Sequence, residues 1–595
     1  MKKTTLLLAS VFTTIILVVL LLPGCGSTTS TSITSKDIKN PDTFIQADIG
    51  DPDTLDPSAM YDTASGQCIE LVLETLIRFD GESTTKYKPV LATEWKISKD
   101  GKTYRFHIRK GVKFSNGNDL TPEDVEYSFE RGMVQDYSAG PQWMFFEPFF
   151  GSDSPWGSSS RDADGNLIPL SQLTSAVNID GEWVQFNLAT PYEPFLQILC
   201  GQWASIVDKQ WCIEQGEWDG TQASYEKLNN PESDAWPLHN KMMGTGPFTL
   251  DYWDQGVEIT FNRNENYWGK KANFKQVVRK TVEEWTTRKL MLENGDADWA
   301  YVPVEYYGEM EGVSGLTVYR DLPAVQVEGF FFVYNISADS PFVGSGKLDG
   351  QGIPLDFFSD INVRKAFTYS FNWDDYINQV MQGHAIQPAS PVIKGLSYYN
   401  PNLPKYSYDS KKAEEYFKAA WDGQVWEKGF TMTLAYNAGN TSRKTACDIL
   451  AANINKLNPK FHVTSAAQQW TSYNAQWRKY LLPAFNVGWL PDYMDAHNFI
   501  VPFMASYGAF SKFQSIPSEV SDEIDNLIAR GIGSTSSSER QSIYDELAGI
   551  YYDQSFGIMT MQPTVNRYFK NWVYGYLFNP AEANDASFIY NLSKR

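Results

Sequence analysis

The segment Gly488-Trp489-Leu490-Pro491-Asp492-Tyr493-Met494-Asp495 sets two carboxylates beside an indole and a phenol. Such a group can meet a cation, accept hydrogen bonds from hydroxyls, or pack against a flat apolar surface. On spacing alone Asp492 reads as a loop cap or as the partner of a nearby Lys or Arg. A second aromatic group, Trp470 with Tyr473 after Gln468-Gln469, reads equally as core packing. Enzyme chemistry finds little support. The five histidines, His107, His239, His384, His462 and His497, include no two spaced to share a helix turn, so no zinc-protease motif is present. Gly344-Ser345-Gly346-Lys347 lacks the upstream glycine and the Ser or Thr of a phosphate-cradling loop and reads as a surface turn. Ser160, Asp162, Asp164 and Gly165 have part of a calcium-loop spacing, but Ser171 stands where the bidentate glutamate belongs, which leaves an Asp-Gly turn. No metal or cofactor is expected. A glycoside hydrolase would need two carboxylates facing one bond, and linear spacing neither shows nor excludes such a pair.

The compartment is written at the start of the chain. Lys2 and Lys3 precede an apolar run from Leu6 to Leu22, the pattern of a signal peptide; a retained membrane anchor is the alternative. Leu22-Pro23-Gly24-Cys25 resembles the lipobox of bacterial lipoproteins, with Pro23 departing from the usual small residue, which implies acylation at Cys25. Gly26 to Ser32 is too poor in apolar residues to pack and reads as a tether. Removal of residues 1–24 would leave 571 residues and move the formal charge from −21 to −23, which disfavours nucleic acid and anionic lipid headgroups as partners. Of the other cysteines, Cys200 and Cys212 are near enough in sequence for a disulfide, and their pairing stays open.

Short alternating strands interleaved with amphipathic helices give an α/β fold. Tyr104, Phe106 and Ile108 share one face of a strand, Asn116-Gly117 supplies a turn, and a helix follows with Thr121 as N-cap, Pro122 in first position and Val125 and Phe129 on one face. Val363, Phe367 and Ser370 mark another helix, on which Arg364 is expected at the surface or in a salt bridge. Asn372 with Asp375 starts one more, ended by Gly383. Asp254-Gln255-Gly256 reads as a hairpin loop, and Ser534 to Ser538 as a polar loop between two helices, the first stopped by Gly531.

Five blocks, in order, resemble the extracellular solute-binding protein family 5, which includes oligopeptide-, dipeptide- and nickel-binding proteins of ABC importers. They are Asp53-Thr54-Leu55-Asp56-Pro57 with Glu74-Thr75-Leu76; Pro89 to Ala92 through Gly111-Val112-Lys113-Phe114 to Asp124-Val125; Gly244-Thr245-Gly246-Pro247-Phe248 with Asn262, Asn266, Tyr267 and Trp268; Asp360 with Val363 to Phe367; and Gly488 to Asp495. The resemblance implies a two-lobe periplasmic-binding-protein-like fold with a hinge. The expected division is a signal peptide at 1–24, lipidated Cys25 and tether to 40, lobe I at 41–325 with an inserted subdomain at about 86–195, lobe II at 326–561 and a return to lobe I at 562–595. It also implies that Asp492 meets a peptide α-ammonium, that Trp470 lies against the ligand, and that Tyr493 and Trp489 complete the site, Trp489 as support for the Asp492 loop. The function so implied is that of a monomeric, membrane-anchored extracytoplasmic receptor that hands a short peptide to an ABC permease and its ATPases, without enzyme activity. Oligosaccharide binding on the same lobes, solute signalling and a secreted hydrolase are the alternatives.

Overall fold

The computed structural model describes residues 38–595 apart from 139, 152–153, 163, 231–235 and 583–585, and the side chains of 470, 471 and 586–588. The signal segment, Cys25 and the tether as far as residue 37 therefore lie outside the described residues, as does the Trp470 side chain. Among the described residues no helix is long and apolar enough to cross a membrane.

Two bodies are tied together by one long strand. Thr43–Asp48 pairs in parallel with Gln276–Thr281 and with Trp299–Ala300, and Glu258–Arg263 and Phe248–Asp254 extend this sheet as an antiparallel hairpin whose loop carries Gly256 at φ +74°. The strand Gly557–Lys570 joins the sheet through its second half, against Trp299–Ala300 and Leu316–Pro323. Its first half pairs with Val327–Phe332, which pairs in turn with Ala484–Trp489. Val327–Phe332 is buried at every position, as a strand covered on both faces must be. The largest apolar core is drawn from residues between Val325 and Met561, and the other three rest mainly on residues before and after that span. Within the larger core Phe430–Asn437 and Phe461–Gln468 run parallel, joined by the helix Thr441–Leu457, the crossover that parallel pairing requires.

A four-stranded antiparallel sheet (Ala92–Ile97, Thr103–Ile108, Trp183–Asn187, Val177–Asp180) is inserted in the first body. Tyr104, Phe106 and Ile108 are buried on one face as expected, and the helix Pro122–Gln135 begins at a capping box in which Asp124 accepts from the Thr121 amide and hydroxyl, both at 2.8 Å. Two of the separated sequence blocks meet at Glu74, whose carboxylate accepts from Thr245 Oγ1 (2.8 Å), Tyr267 OH (2.7 Å) and Trp268 Nε1 (2.8 Å). Gly244 is required there because a Cβ would fall 2.0 Å from the Val72 carbonyl oxygen.

Three expectations are corrected, and the pairing left open is answered. Arg364 is neither at the surface nor in a salt bridge: it is 2% exposed, and its guanidinium donates to the carbonyls of Phe358 (2.7 Å), Ser359 (2.8 Å) and Gln554 (2.9 Å), of which the Phe358 carbonyl is the buried one. Gly531 does not stop its helix, which runs Ser518–Gly533; it lies in the last turns, where a Cβ would meet Ile543 at 3.3 Å. The connecting loop is correspondingly short, and Ser537–Gln554 is already helix, capped by Ser536. Cys200 and Cys212 are free thiols, Cys200 donating to the Leu196 carbonyl.

Candidate functional site

The strand Ala484–Trp489 ends at a crowded point. A Cβ on Gly488 would lie 2.2 Å from Glu328 Oε1, and Glu328 is itself fixed by Arg443 through Nε (2.9 Å) and Nη2 (3.1 Å). Only glycine lets the strand pass this buried ion pair. Tyr473 braces the same strand from beneath, its hydroxyl donating to the Asn486 carbonyl (3.0 Å) and accepting from the Asn486 amide (2.7 Å).

Past the strand the chain folds over Asn498, a buried residue of the helix His497–Met504. Asn498 Oδ1 accepts from Trp489 Nε1 (3.1 Å) and from the Asp492 amide (2.9 Å), while its Nδ2 donates to Asp492 Oδ2 (3.0 Å). One amide thus locks Trp489 and Asp492 to each other. The Trp489 ring also packs edge-on against Phe510.

From the other body, Tyr61 OH donates to the same oxygen of Asp492 at 3.0 Å, and Trp143 Nε1 donates to the Tyr61 oxygen at 3.1 Å. Burial pushes the Asp492 carboxyl up to about 6, and the bonds from Asn498 and Tyr61 pull against that shift. Burial, and then the Asp492 charge, hold the Tyr61 phenol well above its ordinary range, so it stays a donor. Asp492, Tyr61, Trp143 and Trp489 all keep part of their surface open. The result is a carboxylate held among the polar edges of Tyr61, Trp143 and Trp489, with both side-chain donors gathered on Oδ2, an arrangement able to receive a cation or a hydroxyl donor.

The rest of the block turns away from this carboxylate. Tyr493 is 2% exposed and packs within the core of the first body, its hydroxyl 2.8 Å from His497 Nδ1 and 3.4 Å from Tyr192 OH. Asp495 is buried against Arg540 at 2.8 Å. Trp489 and Asp492 are therefore brought together, whereas Tyr493 is placed in an interface between the bodies. Tyr61, Trp143 and Asn498 join the site without having been singled out in the sequence; Tyr61 follows closely on the Asp56-Pro57 block, and the other two carry no spacing signal.

The sequence pattern described as bacterial extracellular solute-binding proteins, family 5 Middle, matches residues 86–511. The chain belongs to this family. Its fold is accordingly that of the two-lobe periplasmic binding proteins, and family 5 proteins are extracytoplasmic. Among family 5 relatives, the probable D,D-dipeptide-binding periplasmic protein DdpA of Escherichia coli is 24% identical over 547 residues, covering 91% of this chain and 92% of that protein. Heme-binding protein A of Haemophilus influenzae is 24% identical over 573 residues, covering 92% and 94%. Among solved structures, the ABC transporter-associated periplasmic binding protein DppA of Helicobacter pylori, in complex with the peptide STSA, superposes with a TM-score of 0.71 at 22% identity, covering 93% of this chain and 98% of that one.

Proposed function

We propose that this family 5 protein captures a short peptide between its lobes and hands it to the permease of an ABC importer, acting as a receptor and not as an enzyme. The observation that carries the reading is Asp492, a carboxylate pushed up by burial yet still partly exposed, with both of its side-chain donors on one oxygen. A peptide ammonium at Oδ1 would supply the missing positive partner. The dipeptide named for DdpA and the peptide held by the Helicobacter protein support the same class. Lobe I is taken as 41–325 with its inserted subdomain at 86–195, lobe II as 326–561, and 562–595 as the return to lobe I. Acylated Cys25 would tether a monomer to the membrane; Cys25→Ser should then release it into the soluble fraction.

The aromatic rim of Tyr61, Trp143 and Trp489 favours one second reading, an oligosaccharide whose hydroxyls meet Asp492. Calorimetry with free peptides, N-acetylated peptides and oligosaccharides separates the two. Acetylation of a bound peptide, or Asp492→Ala, should each weaken binding by about 2–5 kcal/mol, the range for a broken buried charge pair. Tight sugar binding with no response to any free peptide would overturn the peptide assignment.

A further inference from the structure

Beside the ligand rim, the turn after Asp492 crosses from one body to the other. Tyr493 inserts into the core of the first body, and the next amide, Met494 N, donates to Gln197 Oε1 at 2.6 Å. Arg540, 1% exposed, holds Asp495 of its own body with one nitrogen and reaches Glu193 of the other body with a second. Tyr398 OH donates to Glu193 Oε2 at 3.0 Å, and the Tyr398 ring covers the Arg540 guanidinium at 4.7 Å. Farther along, His497 Nε2 lies 3.5 Å from Glu147 Oε1.

The geometry points to Glu193 as a positioning residue for lobe closure. Arg540 keeps its charge partner Asp495 whether or not Glu193 is present, so the pair with Glu193 is a surplus gained only when the bodies approach. Glu193 is itself 56% exposed, and withdrawing it leaves no buried charge unpaired. Every contact here joins protein to protein, so Glu193 adds a fixed increment to closure on top of whatever the solute contributes, and scales affinity equally for all solutes. Its place in the mechanism does not depend on which solute fills the cleft.

The Met494 amide is a direct reporter, because its hydrogen-bond acceptor belongs to the opposite body. In hydrogen–deuterium exchange on the full chain, fragments spanning 491–499 should exchange at least about five-fold faster in Glu193→Gln than in wild type, the low end for an energetic coupling between elements. Glu193→Lys, which opposes Arg540 with like charge, should exchange faster still, while the strand Val327–Phe332 keeps its wild-type rate in both variants. Equal exchange at 491–499 in all three proteins would overturn the assignment. So would acceleration that extends equally into Val327–Phe332, since that reports loss of structure and not release of the closure contact.

Discussion

Tyr61 and Asp492, 431 positions apart in sequence, share a 3.0 Å hydrogen bond between the two bodies. The bond makes the acid on one lobe a partner of the phenol on the other, so the electrostatics of the site depend on the lobes being together. Tyr61 is a donor because its own ionisation is suppressed, and Asp492 accepts most strongly when ionised.

The first prediction follows from that acid. Its folded-state pKa, about 6, lies above the ordinary 3.8, so the native protein binds this proton more tightly than the unfolded chain does. The contribution to stability is full below about pH 4, is lost as pH rises toward 6, and stays lost above. Asp492→Asn keeps an acceptor for Tyr61 and Asn498 without the charge. It should therefore raise stability at pH 8 by up to about 3 kcal/mol, because each tenfold difference in proton affinity is worth about 1.4 kcal/mol, with the gain vanishing below pH 4. Denaturant titrations of both proteins across pH 4–8 test this; a gap independent of pH would contradict it.

Asn498→Ala should do more damage than its size suggests. It strips partners from Trp489 Nε1 and the Asp492 amide and removes one of the donors that hold the Asp492 carboxyl down. Two orphaned donors imply a loss of about 2–4 kcal/mol. The Asp492 carboxyl, followed by carbon NMR, should titrate above its wild-type value.

Gly488→Ala tests the crowding at the strand end. The added methyl would overlap Glu328 Oε1 and force the Glu328–Arg443 pair apart or bend the strand. Urea unfolding should show a loss of about 1–3 kcal/mol, typical of overpacking, and a crystal structure of the variant should show Glu328 displaced.

Arg364→Met keeps the apolar stem and removes the donors to Phe358, Ser359 and Gln554. The buried Phe358 carbonyl left without its donor should cost about 1–3 kcal/mol, with less lost at the part-buried carbonyls of Ser359 and Gln554. Arg364→Lys should recover only part, because one ammonium cannot span carbonyls that a planar guanidinium bridges. Calorimetric binding selectivity should stay as in wild type, since Arg364 lies away from Asp492.

What could be read in the sequence was local or repeated as a block. The alternation of Tyr104, Phe106 and Ile108 and the cap at Thr121 depend on neighbours a few residues away, and both appear in the fold as expected. Arg364 failed because an amphipathic pattern shows which face is apolar but not what covers the polar face; here the end of the helix Ser537–Gln554 lies over it. Gly531 failed because a glycine near a helix end can be a stop or a gap for a neighbour, and Ile543 decides for the gap. Asp492 stood out through its block, but Tyr61 and Trp143 reach it only because the chain returns on itself across the shared strand.

That shared strand has a consequence for how the molecule could be rewired. Lys594 Nζ donates to the carbonyls of Asn40 (2.9 Å) and Thr43 (2.6 Å), so the first and last described stretches are stapled side by side on one lobe. The other lobe enters through the passage from Leu316–Pro323 to Val327–Phe332 and leaves along Gly557–Lys570, like a loop held at its neck. A circular permutant that joins residue 595 to residue 38 through a short linker, and opens new ends in the exposed turn around Gly346, would keep both strands of the neck uncut. It should therefore retain one cooperative unfolding transition, whereas a cut between Pro323 and Val327 would sever the neck.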